Sequence, residues 1–111
     1  MLAGGIIQLS ASPWSAPVVM VPKKEGKLHF CIDYLKLNAV TKRDQYPLPH
    51  IDDLLSATEN AKFYTALDIT WGYWNLEIAE HDCLKTAFAT HEGLYKFICM
   101  PFGLTNAQAT F

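Results

Sequence analysis

The sequence has 111 residues, a length that allows one small domain. Half of the residues are hydrophobic and 13% are aromatic, so the chain can bury a core, and the class of wholly disordered proteins is excluded. The formal net charge of −2 also argues against a simple polycationic protein that coats nucleic acid.

The charge is unevenly distributed along the chain. Between Lys23 and Arg43 there are six basic and two acidic residues, whereas from Asp44 to Glu92 there are nine acidic residues and two lysines. The basic stretch could hold phosphates and the acidic stretch could hold metal ions. From charge alone, a solvated surface is the simpler interpretation of both.

The first third of the chain predicts an extended lead-in and a hairpin. Gly, Ser and Pro interrupt the stretch from Gly4 to Ser15, which is typical of an extended segment. Val18–Val21 is a β-branched run, and Lys27–Ile32 alternates polar and apolar residues. Because only a short glycine-containing stretch (24–26) separates them, the two runs predict an antiparallel hairpin.

The middle of the chain predicts a loop, a helix and a strand. Asn38 to Pro49 is polar and interrupted by prolines, which indicates a loop. Apolar side chains recur at helical spacing from Ile51 to Glu59, with two aspartates in the first turn, where the helix dipole favours them. Phe63 to Ile69 is rich in strand-forming residues, so we expect a strand that ends at Asp68.

The last third predicts a second hairpin, from Lys85–Thr90 and Leu94–Met100, around a short turn. Asn106 to Phe111 is expected to begin a helix. Hairpins mixed with short helices indicate an α+β fold. Since an aromatic residue without a polar tail ends the chain, we also expect it to be part of a longer protein.

The cysteines and the apolar runs limit the class of protein further. Cys31, Cys83 and Cys99 are widely spaced and have no Cys-x-x-Cys or Cys/His cluster, so we expect free thiols and no zinc site. The longest apolar runs, such as Ala16–Val21, are too short to span a bilayer. The first five residues lack the basic region of a signal peptide, and the expected location is intracellular.

Four groups of segments carry a resemblance to a known family. They are Ser12–Val19 (SPWSAPVV) with Lys23–Gly26 (KKEG); Phe30–Asn38 (FCIDYLKLN) with Tyr46–Pro49 (YPLP) and Ile51–Leu54 (IDDL); Leu67–Ile69 (LDI) with Gly72–Trp74 (GYW) and Lys85–Phe88 (KTAF); and Met100–Leu104 (MPFGL) with Asn106–Ala107 (NA) and Ala109–Phe111 (ATF). In this order and spacing they resemble the reverse transcriptases of gypsy-class long-terminal-repeat retrotransposons and their retroviral relatives. The resemblance covers nearly the whole chain.

The resemblance implies an incomplete right-hand polymerase fold within a retrotransposon Pol polyprotein. Residues 1–62 would belong to the fingers, and residues 63–111 would form the start of the palm and a returning fingers segment. The implied activity is RNA-directed DNA polymerisation. The implied partners are an RNA or DNA template–primer, deoxynucleoside triphosphates and the remainder of the polyprotein, with no membrane.

The resemblance assigns one catalytic carboxylate, Asp68. Its carboxylate and the backbone carbonyl of Ile69 would be ligands of Mg²⁺, which prefers hard oxygen donors. Without the resemblance, an aspartate that caps a turn before Gly72 would be the simpler interpretation. The other two aspartates of the family lie in a Tyr-x-Asp-Asp motif that this sequence lacks. We therefore expect the chain alone to be inactive.

The resemblance also assigns residues to the incoming nucleotide. Tyr73 would be the aromatic steric gate against a ribose 2′-hydroxyl, although a core tyrosine packed with Trp71 and Trp74 remains an alternative. Phe102 and Gly103 would lie beside the nucleotide or template, the alternative being a hydrophobic turn. The remaining candidates, which would reach the triphosphate, are Lys23, Lys24 and His29; the lysines could instead be merely solvated.

Several positions depart from the family pattern. His29 and Leu35 stand where arginine is usual, and a neutral histidine cannot offer the bidentate fork of a guanidinium. Trp71 replaces a small residue, Asn75 a glutamine and Gln108 a proline. These departures raise an alternative hypothesis, in which the chain is a non-catalytic relic or a domesticated nucleic-acid-binding module.

Overall fold

The computed structural model describes residues 4–111 and has the α+β composition that the sequence predicts. The first three residues of the stretch considered for a signal peptide lie outside the described part. The elements, in chain order, are strand β1 (Ile7–Leu9), strands β2 (Val18–Pro22) and β3 (Leu28–Ile32), helices α1 (Leu35–Val40) and α2 (Ile51–Thr58), 3-10 helices Gly72–Asn75 and Glu80–Thr86, strands β4 (Phe88–Thr90) and β5 (Gly93–Phe97), and helix α3 (Ala107–Thr110). Within residues 4–111, no helix is long and apolar enough to cross a membrane.

Strands β2 and β3 form the predicted first hairpin, with Val18 opposite Ile32 and Pro22 opposite Leu28. The backbone N–H of Lys23 donates to the carbonyl of Lys27 at 2.7 Å and closes the turn. Gly26 has a φ of 76°, a left-handed conformation that glycine adopts without a steric penalty. The alternation and the glycine therefore predicted this element correctly.

The second sheet pairs a strand near the start of the chain with two strands from its last third. Its antiparallel order is β1-β5-β4, with Ile7 opposite Phe97 and Phe88 opposite Tyr95. The β4–β5 hairpin confirms the predicted one, although Lys85 and Thr86 belong to the preceding 3-10 helix. The predicted lead-in is extended, and its residues 7–9 form strand β1, a pairing with a strand nearly ninety positions later that the sequence did not predict.

Helix α1 lies where the sequence predicted the beginning of a loop. The prediction of a loop from Asn38 is wrong for residues 38–40 and holds from Thr41 onward. The carboxylate of Asp33 accepts a hydrogen bond from the backbone N–H of Leu35 at 2.9 Å and satisfies a free donor of the first turn. Helix α2 confirms the predicted helix, with Glu59 as its C-terminal cap.

The predicted strand from Phe63 to Ile69 is wrong. The segment has no regular structure, and the side chains of Phe63 and Leu67 are 92% and 90% exposed. Strand-forming side chains need a neighbouring strand and a surface to pack on. Within residues 4–111 the two sheets do not extend to this segment. The proposed division near residue 62 stays a prediction.

The core lies between the second sheet and the start of α1. Its buried residues are Ile6, Tyr34, Phe88, Tyr95 and Phe97. The ring of Phe88 is fully buried, 5.2 Å from the ring centroid of Phe97 and 6.0 Å from that of Tyr95. All three cysteines are free, as expected, but only Cys83 is buried. Burial raises the pKa of the Cys83 and Cys99 thiols, which makes both poor nucleophiles at neutral pH.

The buried hydroxyl of Tyr34 should make the stability of this core depend on pH. It donates to the carbonyl of Thr86 at 2.8 Å, and burial raises its pKa far above the ordinary value of 10.0. Above pH 10 the unfolded chain releases a proton that the folded chain keeps. The free energy of unfolding should therefore fall by about 1.4 kcal/mol per pH unit, while below pH 10 this contribution is fully present.

The variant Tyr34→Phe lacks this hydrogen bond, so its free energy of unfolding at pH 7 should be about 1 kcal/mol lower than that of the unsubstituted chain. Between pH 10 and 12 its free energy of unfolding should decline less steeply. Urea unfolding at a series of pH values measures both effects. Parallel curves for the two proteins would show that Tyr34 ionises equally in the folded and unfolded states.

Candidate functional site

Asp68 lies in the exposed segment that precedes the 3-10 helix Gly72–Asn75, and Ile69 beside it is also exposed. No side-chain hydrogen bond caps that helix. The side-chain hydrogen bonds of this region come instead from Asn75, whose Nδ2 donates to the carbonyls of Thr70 at 2.8 Å and Gly72 at 3.1 Å. The structure therefore gives no support to the turn-capping interpretation of Asp68.

A metal site would need more than this one carboxylate. Within residues 4–111, no group of three or more His, Cys, Asp or Glu side chains is arranged to hold a metal ion. The exposed carboxylate of Asp68 can serve as one hard-oxygen ligand of Mg²⁺. The described residues thus fit one ligand position for Mg²⁺ and do not complete a site.

Trp71 has a left-handed backbone, with a φ of 67°. For a bulky side chain this conformation is costly, by roughly 1–2 kcal/mol. Its indole lies edge-on to that of Trp74, with ring centroids 5.7 Å apart. Glycine, and to a lesser degree asparagine or aspartate, would adopt this conformation at a lower cost than tryptophan.

A mainly apolar cavity of about 370 Å³, called here the aromatic cavity, opens between β3 and the segment after β5. It is lined by His29, Phe30, Cys31, Ile32, Trp74, Phe97, Pro101, Phe102 and Gly103. Three residues singled out in the sequence, His29, Phe102 and Gly103, thus meet at one surface although more than 70 positions separate the first from the others. An apolar cavity with a few polar groups is typical of a small-molecule site.

Tyr73 packs against the rim of the aromatic cavity. Its ring centroid lies 5.0 Å from that of Phe102 and 5.3 Å from that of Phe111. The alternative, an aromatic cluster with Trp71 and Trp74, stays open, because Trp74 contacts the same Phe102 ring at 6.4 Å and pairs with Trp71 at 5.7 Å. The geometry places the tyrosine ring next to the cavity-lining Phe102.

The two candidate lysines lie elsewhere. Lys23 and Lys24 occupy the exposed turn of the β2–β3 hairpin, and neither lines the aromatic cavity. His29 lies on β3 of the same hairpin, opposite Val21. The hairpin thus brings one of its three candidate residues to the cavity.

Comparison with known families identifies the fold. Residues 21–111 match the family described as reverse transcriptase (RNA-dependent DNA polymerase). The chain belongs to the reverse transcriptase family. The resemblance that the sequence motifs predicted is therefore confirmed.

Two relatives of this reverse transcriptase chain are polyproteins of mobile elements. It is 43% identical over 116 residues to the retrovirus-related Pol polyprotein from transposon opus of Drosophila melanogaster, a match that covers 100% of this chain and 12% of the polyprotein. The corresponding polyprotein from transposon gypsy of the same organism is 41% identical over 117 residues, with 100% and 11% covered. The chain thus spans about a ninth to an eighth of these relatives. Their names confirm the gypsy-class prediction and do not favour the relic hypothesis.

The fold of this reverse transcriptase chain is similar to that of the prototype foamy virus protease-reverse transcriptase. The two superpose with a TM-score of 0.82 at 27% identity, covering 99% of this chain and 15% of the viral one. The expected fold, a part of the fingers and palm, is therefore confirmed. Reverse transcriptases generally depend on a divalent metal, and Asp68 is the ligand candidate described above.

Sequence reasoning did not assign two residues that contribute to the candidate site. The indole of Trp74 lines the aromatic cavity, and its buried Nε1 has no hydrogen-bond partner among the described residues. Asn38 hydrogen-bonds the segment after Phe102. Both residues belong to the family motifs, but neither residue type carries a chemical signal. Only their long-range contacts distinguish them.

Proposed function

We propose that the chain supplies the fingers and the beginning of the palm of an RNA-directed DNA polymerase, and that the aromatic cavity receives part of the incoming nucleotide. The observation that supports this best is the meeting of His29, Phe102 and Gly103 at one cavity, with the Tyr73 ring against Phe102. An apolar, ring-lined surface suits the faces of a base or a sugar.

The proposed reaction is an in-line phosphoryl transfer, in which a primer 3′-hydroxyl attacks the α-phosphate of a deoxynucleoside triphosphate and pyrophosphate leaves. Bound Mg²⁺ would neutralise the charge that develops on the phosphates. Asp68 would hold the metal through its carboxylate, and Ile69 through its backbone carbonyl. Tyr73 would exclude a ribose 2′-hydroxyl, and Phe102 would support the ring of Tyr73.

The proposed partners follow from the same reaction. They are an RNA or DNA template–primer, deoxynucleoside triphosphates and the remaining domains of a Pol polyprotein. Lys23 and Lys24 extend from the hairpin turn as exposed cations, a position from which flexible ammonium groups can approach a triphosphate. His29 would offer a hydrogen bond from inside the cavity.

A pair of primer-extension assays tests the proposal. The 111-residue chain alone, with Mg²⁺ and a primed RNA template, should give no extension, because one carboxylate cannot complete the metal site. A chimera of the gypsy Pol polyprotein, in which this chain replaces the aligned segment, should extend the primer.

The matched control is the gypsy polyprotein with its own segment and the same junctions. A chimera that folds, as shown by a cooperative melt, but extends no primer while the control does would contradict the proposed function. Extension by the isolated chain would contradict the requirement for the missing aspartates.

A further inference from the structure

Asn38, near the end of α1, uses both ends of its side-chain amide on the segment that follows Phe102. Its Nδ2 donates to the carbonyl of Gly103 at 2.8 Å, and its Oδ1 accepts from the backbone N–H of Thr105 at 2.9 Å. A donor and an acceptor on one planar group match the carbonyl and the N–H in a single orientation. Asn38 thereby fixes two points of one turn, across more than 60 positions of sequence.

Asn106 makes the reciprocal connection from within the same segment. Its Oδ1 accepts from the backbone N–H of Asp44 at 2.9 Å, and its Nδ2 donates to the carbonyl of Lys42 at 2.7 Å. Asn106 therefore secures the loop after α1, whereas Asn38 secures the turn at Gly103. The two asparagines offer a matched pair of sites for substitution.

The turn at Gly103 needs such a restraint. Gly103 has a φ of 93°, in the region that only glycine adopts readily, and glycine populates many backbone conformations. A Cβ on Gly103 would make ordinary van der Waals contacts, 3.7 Å from the Tyr34 ring and 3.6 Å from the carbonyl of Ile32, so it is the positive φ that favours glycine here. External hydrogen bonds thus select one conformation of a segment that has little intrinsic preference.

We propose that Asn38 is a positioning residue of the nucleotide site: its amide fixes the Gly103 turn and, through it, the place of the Phe102 ring. Asn38 does not line the aromatic cavity, whereas Phe102 and Gly103 do. Phe102 in turn contacts Tyr73, the ring assigned to sugar selection. The inference rests on the proposed function, because it concerns the same cavity.

The first test measures backbone amide exchange in the 15N-labelled 111-residue chain without nucleotide. In Asn38→Ala the Thr105 amide should exchange roughly tenfold faster, because its acceptor is gone. Amides of β5 should be unchanged. In the control Asn106→Ala, Thr105 should stay protected. An unaltered Thr105 rate in Asn38→Ala, or equal acceleration of the β5 amides, would overturn the positioning role.

A second variant keeps the test decisive if Asn38→Ala destabilises the chain. Asn38→Asp has the same size and retains the acceptor for Thr105, but cannot donate to Gly103 when ionised. We expect it to keep most of the protection at Thr105 and to change the chemical shifts of Phe102 and Gly103. Unchanged shifts at both residues would contradict the role of the donor.

The second test titrates dTTP with Mg²⁺ and follows the amide shifts at Phe102 and Gly103. The wild-type chain should bind roughly fivefold more tightly than Asn38→Ala, because the variant must order the turn on binding. Equal affinities would overturn the proposal. Failure of the wild-type chain to bind dTTP at all would count against the nucleotide site itself, a result distinct from the exchange measurement.

Discussion

Replacing Asp68 by asparagine in the gypsy chimera is expected to lower the rate of primer extension by about three orders of magnitude. Asparagine has the size of aspartate but no charge, so it would bind Mg²⁺ far less well. Asp68 is exposed and caps no helix, so the substitution should leave the fold intact. The loss would then lie in the rate and not in the amount of folded protein. Primer extension at saturating nucleotide, normalised to the folded fraction, measures it.

The control for this prediction is Asp53→Asn, the same chemical change in the first turn of α2. Asp53 is exposed, and its carboxylate contributes only a favourable interaction with the helix dipole, about 0.3–1 kcal/mol. The control should extend primers at nearly the rate of the unsubstituted chimera. Similar losses in both variants would show that Asp68 contributes general surface charge and is not a metal ligand.

The elements that the sequence predicted correctly are those determined by near neighbours. The β2–β3 hairpin depends on the residue pattern of 15 consecutive positions, 18–32, and on Gly26 in its turn. Helix α2 depends on apolar spacing and on aspartates in its own first turn. For such elements the sequence signal and the physical cause lie in the same short segment.

The elements that the sequence left out or predicted wrongly depend on distant partners. Strand β1 exists because β5 pairs with it. Helix α1 is supported by Asn38, which donates a hydrogen bond to the carbonyl of Gly103 and accepts one from the backbone N–H of Thr105. The segment Phe63–Ile69 shows the reverse case, since it has strand propensity but no strand beside it within the described residues. Propensity alone decides neither case.

The residues of the candidate site show the same difference between local sequence signals and long-range contacts. The motifs named His29, Tyr73, Phe102 and Gly103 through family resemblance, and the structure brings all four to the aromatic cavity or its rim. Resemblance could not show that Asn38 restrains the turn, because an asparagine at the end of a short helix is typical of many surfaces. Motifs thus named the candidate ligand-contacting residues, whereas the proposed positioning residue Asn38 follows only from its contacts.

Replacing Tyr73 by alanine in the gypsy chimera should raise the incorporation of ribonucleotides, relative to deoxyribonucleotides, by roughly a hundredfold. The Tyr73 ring is held between Phe102 and Phe111 at centroid distances of 5.0 and 5.3 Å. These contacts place the tyrosine ring at the rim of the aromatic cavity, where it would exclude an added hydroxyl sterically. Alanine would open that space. Competition between UTP and dTTP in primer extension measures the ratio.

The ratio separates a steric gate from a packing residue, because both nucleotides are used by the same folded molecules and any loss of stability cancels. Tyr73→Phe is the control: it keeps the ring and loses only the hydroxyl, so discrimination should stay within about threefold of the unsubstituted chimera. If Tyr73→Ala lowers extension with both nucleotides equally, the ring serves only the aromatic packing with Phe102 and Phe111. A rise confined to Tyr73→Ala would show that the ring, held in place by its aromatic neighbours, is what selects the sugar.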